Sequence, residues 1–279
     1  MQFVSRKMDQ KASKLAIVAG DGSLPVQVIE KCIELGKPYS LIVINEHGDE
    51  VLKKFKSDFI LHLNKIGNAI KFARDNDIDE IIMIGGIRRP PIKSMVPDLW
   101  TTKFLAKNTN KILGDNSILS SLAKALEVEG FKIIAIENIL SNILSKKGVM
   151  GKISPGKSHL KDIKIGYKIA KSIGELDIGQ SLVIEDGIIL ALEAVEGTSE
   201  MISRVEKYMK LSGEAILVKV LKTHQDKRID RPTIGSDTVK QIARRGLAGI
   251  VLEANEVLII DYKETISMAN KNNIFIKGM

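Results

Sequence analysis

Cysteine is almost missing from this chain. Cys32 stands alone, which excludes an intramolecular disulfide and a thiolate metal cluster. It falls within the apolar helical pattern Val26-Gln27-Val28-Ile29-Glu30-Lys31-Cys32-Ile33, which predicts a buried, inert thiol. The four histidines, His47, His62, His159 and His224, are far apart and lack the spacing of zinc ligands. Aromatic residues make up only 4% of the chain, so the core must be mostly Ile, Leu, Val and Ala. No apolar run approaches the ~20 residues that a membrane-spanning helix requires. The first thirteen residues lack the apolar centre of a signal peptide and read as a loose polar extension. The net charge of +8 comes from dispersed lysines, with no basic block carrying interleaved aromatics, so there is no case for nucleic-acid binding. Such a diffuse positive field suits an anionic small molecule or an anionic membrane surface. The expectation is a soluble cytoplasmic protein that can touch a membrane from the side.

What the sequence does contain is a regular alternation. Leu15-Ala16-Ile17-Val18-Ala19 reads as a strand, followed by a glycine turn and a helix ending near Gly36. Tyr39 to Ile44 and Glu80 to Ile84 are further strands, with a helix across Ala69–Arg74 leading into the second. A helix around Trp100, a longer one after Gly114-Asp115-Asn116-Ser117 and a strand over Lys132–Ile136 follow. Repeated βα units predict a Rossmann-like parallel sheet over residues 14–147. The turn-rich stretch from Lys146 to Lys157 marks a boundary, placed at 148. Residues 148–279 read differently, as an α+β domain with mixed strands. Glu185-Asp186-Gly187 between two apolar runs is a hairpin signal, and a second hairpin is expected from Gly249–Leu252 through Asn255-Glu256 into Val257–Ile260.

Four segments carry the chemistry. Gly20-Asp21-Gly22-Ser23-Leu24-Pro25 joins the first strand to the first helix, where free N–H groups and the helix dipole favour an anion; it also reads simply as a tight βα turn. Gly85-Gly86-Ile87-Arg88-Arg89-Pro90-Pro91 ends a later strand at the same kind of edge, and its arginines suit phosphate oxygens. Glu193-Ala194-Val195-Glu196-Gly197-Thr198-Ser199 brings carboxylate, glycine and hydroxyl to one strand-to-helix turn, although capping alone accounts for Thr198 and Glu200. Gln225-Asp226-Lys227-Arg228-Ile229-Asp230-Arg231-Pro232-Thr233-Ile234-Gly235 offers hard oxygens for Mg²⁺ beside cations for phosphate, or else is a solvated charged loop.

These residues carry a resemblance. From Lys14 onward the chain resembles the metal-dependent UDP-2,3-diacylglucosamine pyrophosphatases of lipid A synthesis, the two-domain family distinct from the calcineurin-like enzymes. The likeness rests on the Gly20–Pro25 turn, Arg89-Pro90 and Lys152-Ile153-Ser154-Pro155. More specific are Asp177-Ile178-Gly179-Gln180, Glu196-Gly197-Thr198, Arg228–Gly235 and Gly246-Leu247-Ala248-Gly249-Ile250. Asn116 and Ser199 stand where the family often has aspartate, and both positions read as peripheral. The resemblance implies hydrolysis to UMP and 2,3-diacylglucosamine 1-phosphate with Mg²⁺ or Mn²⁺. Asp230 is the expected metal or water-activating carboxylate, with Glu196 and Asp226 as its catalytic partners. Gly20, Gly22, Leu24, Gly85, Arg89, Gln180, Gly197, Thr198, Arg228, Thr233 and Gly235 are the expected substrate contacts. Expected partners are the UDP-linked diacylated glucosamine and, transiently, the inner-membrane surface, with self-association into a homo-oligomer left open. Two rivals stand beside this reading. A nucleotide-dependent oxidoreductase would need a third glycine where Pro25 stands. A non-catalytic UDP-sugar or lipid binder would gain nothing from carboxylates at 226 and 230.

Overall fold

The structure is a computed structural model and describes residues 14–48, 50, 52–87, 96–108, 115–210 and 214–279. The extension read over residues 1–13 lies outside the described residues. The chain divides into two compact units. One takes in residues up to 110 and Ser121–Ile136; the other takes in Lys111–Ser120 and Glu137–Met279.

The first unit alternates β1 (Lys14–Ala19), α1 (Leu24–Glu34), β2 (Tyr39–Ile44), β3 (Phe59–Leu61), α2 (Ile66–Asp75), β4 (Ile78–Ile84) and α3 (Leu99–Lys107). After α4 (Asp115–Val128), which begins in the second unit's stretch, β5 (Lys132–Ile133) completes the sheet. The strand order is β3-β2-β1-β4-β5, with every pair parallel, as the βα alternation predicts. β1 lies at the centre because its run Leu15-Ala16-Ile17 is apolar on both faces and completely buried. Cys32 is also fully buried, and desolvation raises its thiol pKa, against a smaller pull from Lys37. The sequence reading missed β3, whose three residues are too few to show a period. It also over-extended β5, since ladder pairing with β4 stops at Ile133.

Glu80 on β4 accepts from Lys37 at 2.8 Å and from Lys132 at 2.9 Å. Burial pushes its carboxyl pKa up, but the two ammonium groups outweigh burial and hold it at about 2. A carboxylate depressed in the folded state adds stability that is full above its unfolded pKa, near 4.5, and is lost as pH falls through about 2. Lys132 is largely exposed, so solvent screening limits the gain. Glu80→Gln should therefore cost about 1–2 kcal/mol at pH 7, a deficit that shrinks below pH 4. Urea unfolding at pH 7 and pH 3 measures it, and equal stabilities at pH 7 would contradict the assignment.

The second unit contains β6 (Gly148–Met150), α5 (His159–Glu175), β7 (Ser181–Glu185), β8 (Ile188–Leu192), α6 (Gly197–Arg204), β9 (Ile216–Lys219), β10 (Thr233–Ile234) and α7 (Ser236–Arg245). β11 (Gly249–Leu252), β12 (Leu258–Ile259), α8 (Tyr262–Lys271) and β13 (Phe275–Gly278) complete it. Its main sheet has the order β6-β13-β11-β9-β7-β8, parallel from β13 to β9 and antiparallel elsewhere. Alternation along the strands sorts the core into two faces. Leu182, Ile184, Ile216 and Val218 pack against Ile163 and Ala170 of α5. Val183, Leu217 and Ile250 face the other way, onto Ile202 of α6, Val239 and Ile242 of α7 and Ala269 of α8.

The hairpin read at Glu185-Asp186-Gly187 is present as β7–β8. The second expected hairpin is not. β11 has parallel partners on both sides, β9 and β13, so it has no free edge for a returning strand. Residues 253–255 bond outward instead: Glu253 N–H to Lys219, Ala254 N–H to Met279 and Asn255 N–H to Ser145. β12 leaves the sheet and pairs in parallel with β10.

Candidate active site

In the first unit, two glycine turns meet backbone to backbone at the carboxyl end of β1 and β4, the point where strand order reverses. Asp21 and Gly86 exchange two N–H···O bonds of 2.8 Å each. A Cβ on Gly20 would stand 2.3 Å from the Gly86 carbonyl, and one on Gly85 would stand 2.7 Å from that of Asp21. Both glycines are therefore required by this close approach. Gly22 differs: its φ is +100°, which favours glycine, and a Cβ added there would meet nothing within 4 Å. Leu24 opens α1 with its side chain buried, and the first turn holds no acidic residue to compete with an anion. The Asp21 carboxylate accepts from Gly48 N–H at 2.7 Å and lies 3.1 Å from His47 Nδ1. Arg89 and its neighbour Arg88 lie outside the described residues.

The second unit holds a more concentrated polar group. Ser181 of β7 pairs with Lys219 of β9, and Glu193 N–H donates to the Ser181 carbonyl at 2.9 Å. Glu193, Ser181 and Lys219 thus lie abreast on adjacent strands, with side chains on one face. The row sits at the carboxyl end of the parallel strands, where open α/β sheets bind ligands. The entrance to α6 closes over it. Lys219 Nζ donates to Thr198 Oγ1 at 2.8 Å, and the Thr198 hydroxyl donates to Glu193 Oε1 at 3.0 Å. Glu193, Ser181 and Lys219 are all buried. Desolvation lowers the Lys219 pKa, while the Glu193 and Asp230 carboxylates push it back up. Glu193 Oε2 and, one residue before β7, Gln180 Oε1 are buried with no hydrogen-bond partner among the described residues. Gly179 permits this crossing, because a Cβ there would meet the Glu193 carbonyl at 2.0 Å.

Family comparison bears on both units. The description "LpxI N-terminal domain" matches residues 14–143, and "LpxI C-terminal domain" matches residues 146–277. A curated UDP-2,3-diacylglucosamine pyrophosphatase LpxI from Caulobacter vibrioides is 32% identical over 273 residues, covering 95% of this chain and 97% of its own. The chain belongs to the LpxI family.

Within the LpxI C-terminal domain, the expected site residues separate into groups. Thr198 belongs to the polar row and Asp230 acts on it through Lys219, while Gln180 stands next to Ser181 in sequence with its Oε1 buried and unpartnered among the described residues. Gly197, at φ +81°, turns the chain from Glu196 into α6. Glu196 itself is drawn outward: Arg204 donates to it at 2.7 Å and lowers its pKa. Asp226 receives a fork from Arg228, with Nε at 3.0 Å and Nη2 at 2.8 Å. The Thr233 hydroxyl donates to the Arg231 carbonyl at 3.1 Å, and Gly235 leads into α7 with extended backbone. Arg231, nearly buried, ties the loop down through Glu137 at 2.5 Å and Glu256 at 2.9 Å. All three residues that lie abreast in the row, Ser181, Glu193 and Lys219, escaped the sequence reading, Ser181 because it shows only as the polar residue that opens the run Leu182-Val183-Ile184. Lys219 shows only as one charge closing the run Ile216-Leu217-Val218, and Glu193 was overshadowed by Glu196 in the same segment.

The oxygens of this LpxI domain suit a hard cation. Among the described residues no three His, Cys, Asp or Glu side chains group as metal ligands. Mg²⁺, however, keeps several waters and takes only one or two carboxylates together with substrate phosphates. The unpartnered Glu193 Oε2 and Gln180 Oε1, with Asp230 also acting on Lys219, supply oxygens of that kind.

Proposed function

We propose that this chain hydrolyses the pyrophosphate of UDP-2,3-diacylglucosamine to UMP and 2,3-diacylglucosamine 1-phosphate, in lipid A synthesis, with Mg²⁺ or Mn²⁺. The observation that carries this is the 32% identity across nearly the whole of a protein named for that reaction. The buried row of Glu193, Thr198 and Lys219, with Asp230 acting on it, supports it physically. In the reaction, water adds its oxygen to the sugar-side phosphorus and the bridging oxygen departs with UMP. The Asp230 carboxylate orients that water and receives its proton. Asp230, Glu193 and Gln180 would hold the cation, which supplies charge neutralisation on the phosphates and lowers the pKa of bound water.

Taken by itself, the α1 entrance of the first unit, with Gly22 exposed and no acid in the first turn, suits an anionic group. Arg89 remains a proposed contact. The two acyl chains make transient contact with a membrane surface part of the proposal, and no helix among the described residues is long and apolar enough to cross one. The rivals are less well supported. Pro25 is buried in α1 where a dinucleotide fingerprint needs its third glycine, and a simple anion binder has no use for buried carboxylates. Release of UMP from the diacylated UDP-sugar in Mg²⁺ buffer tests the proposal. Binding without UMP release would favour the non-catalytic reading.

A further inference from the structure

The ammonium of Lys219 is left with more donors than the protein uses. It has three N–H groups, and the residue as a whole is 6% exposed. Its one hydrogen bond among the described residues goes to Thr198 Oγ1. In the same cluster, Glu193 Oε2 is buried and has no partner. Had this corner served the fold alone, the spare donor and the spare acceptor would satisfy each other, since leaving either unpaired is costly. They do not. The donor surplus calls for an anionic oxygen, and the acceptor surplus calls for a cation. Thr198 locks the arrangement, because its single proton is given to Glu193 and its oxygen receives Lys219. Arg228, the residue the sequence suggested for phosphate, instead directs two nitrogens of its guanidinium at Asp226. The entrance to α6 adds a second source of positive potential beside Lys219. Its Glu196 cap makes no side-chain bond to the helix N–H groups.

We propose that Lys219 is the cation of the second unit that grips a phosphoryl oxygen of the ligand, with Thr198 and Glu193 positioning its ammonium. This rests on the pyrophosphatase reading for the identity of the ligand, but the residue's role can be tested apart from turnover. The probe is inorganic pyrophosphate in Mg²⁺ buffer, followed by calorimetry. Lys219→Met should weaken its binding about tenfold or more, as expected for losing a charge-assisted hydrogen bond, while Lys219→Arg retains part of it. For the diacylated UDP-sugar kcat should fall and KM should rise, a combination that loosened packing alone would not produce. If Lys219→Met does not fold, lysine labelled with ¹³C at Cε in the wild-type protein gives the same answer. The Lys219 signal, assigned by its loss in Lys219→Arg, should move on saturation with pyrophosphate. Unchanged pyrophosphate affinity in Lys219→Met, an unmoved Lys219 signal, or no pyrophosphate binding by wild type at millimolar concentration would each overturn the assignment. A wild type that binds pyrophosphate through Lys219 yet releases no UMP would overturn the pyrophosphatase reading and leave Lys219 in place.

Discussion

Asp230→Asn should leave a folded protein whose turnover is down about a thousandfold or more, with substrate affinity unchanged or slightly tighter. The fold should survive because the loop is anchored elsewhere. Asp230 N–H bonds to the Asp226 carbonyl at 2.9 Å through the backbone, which asparagine preserves. The next residue, Arg231, holds Glu137 and Glu256 from a nearly buried position. Asparagine fills the same volume, so no cavity opens. What disappears is the negative charge proposed to position water and cation, whose benefit would be felt mainly in the transition state. Removing that charge beside an anionic pyrophosphate does not weaken ground-state binding. The control must be a carboxylate with no structural task, and Asp98 does not qualify. Asp98 caps α3 by accepting from Thr101 N–H at 2.7 Å and also accepts from Asn68 N–H at 3.3 Å, which lowers its pKa against the opposing pull of burial. Its loss would cost about 1 kcal/mol. Glu50 is the better control, because it is 85% exposed and its ion pair with Lys53 lies on the surface, where solvent screening leaves it worth little. Turnover and affinity for Asp230→Asn and Glu50→Gln, with thermal melting for both, measure the effect. Near-wild-type turnover in Asp230→Asn would refute the assignment.

Chelation should have an effect of similar size. In excess EDTA turnover should fall below about 1% of its starting value and return with Mg²⁺ or Mn²⁺. The reason is electrostatic. Glu193 and Asp230 act on a single buried ammonium, and a pyrophosphate brought to the same place adds further negative charge. Lys219 alone leaves that balance negative. The melting temperature should barely move on chelation, because the apolar faces of the sheet, and no metal ligand, hold the second unit together. Full turnover in EDTA would show that the carboxylates serve another purpose.

The sequence disclosed the elements whose signal is local. A fully apolar run such as Leu15–Ala19 must be a buried strand wherever it goes, and Glu185-Asp186-Gly187 turns a chain by itself. β12 was misread because Val257–Ile260 is as apolar as a sheet strand. Its true partner, β10, is set by how residues 253–255 bond to three distant segments. The site divides the same way. Asp230, Thr198 and Gln180 could be named as candidates because they stand in distinctive segments. Lys219 and Glu193 become visible only when β7, β8 and β9 lie side by side, since residue order does not reveal that 181, 193 and 219 share a row. Glu196, the residue just before α6, was the more conspicuous carboxylate and accepts from Arg204 at the far end of that helix. Arg89, Gly114 and the first thirteen residues lie outside the described residues.

The most direct measurement is hydrolysis of UDP-2,3-diacylglucosamine by the wild-type protein with Mg²⁺ in heavy-oxygen water, followed by phosphorus NMR. The pyrophosphate resonances should give way to two monophosphates. The isotope should appear in 2,3-diacylglucosamine 1-phosphate and be absent from UMP, as water attack on the sugar-side phosphorus requires. A pyrophosphate that stays intact in the presence of metal, or cleavage that places no isotope in either product, would contradict metal-assisted hydrolysis at this site.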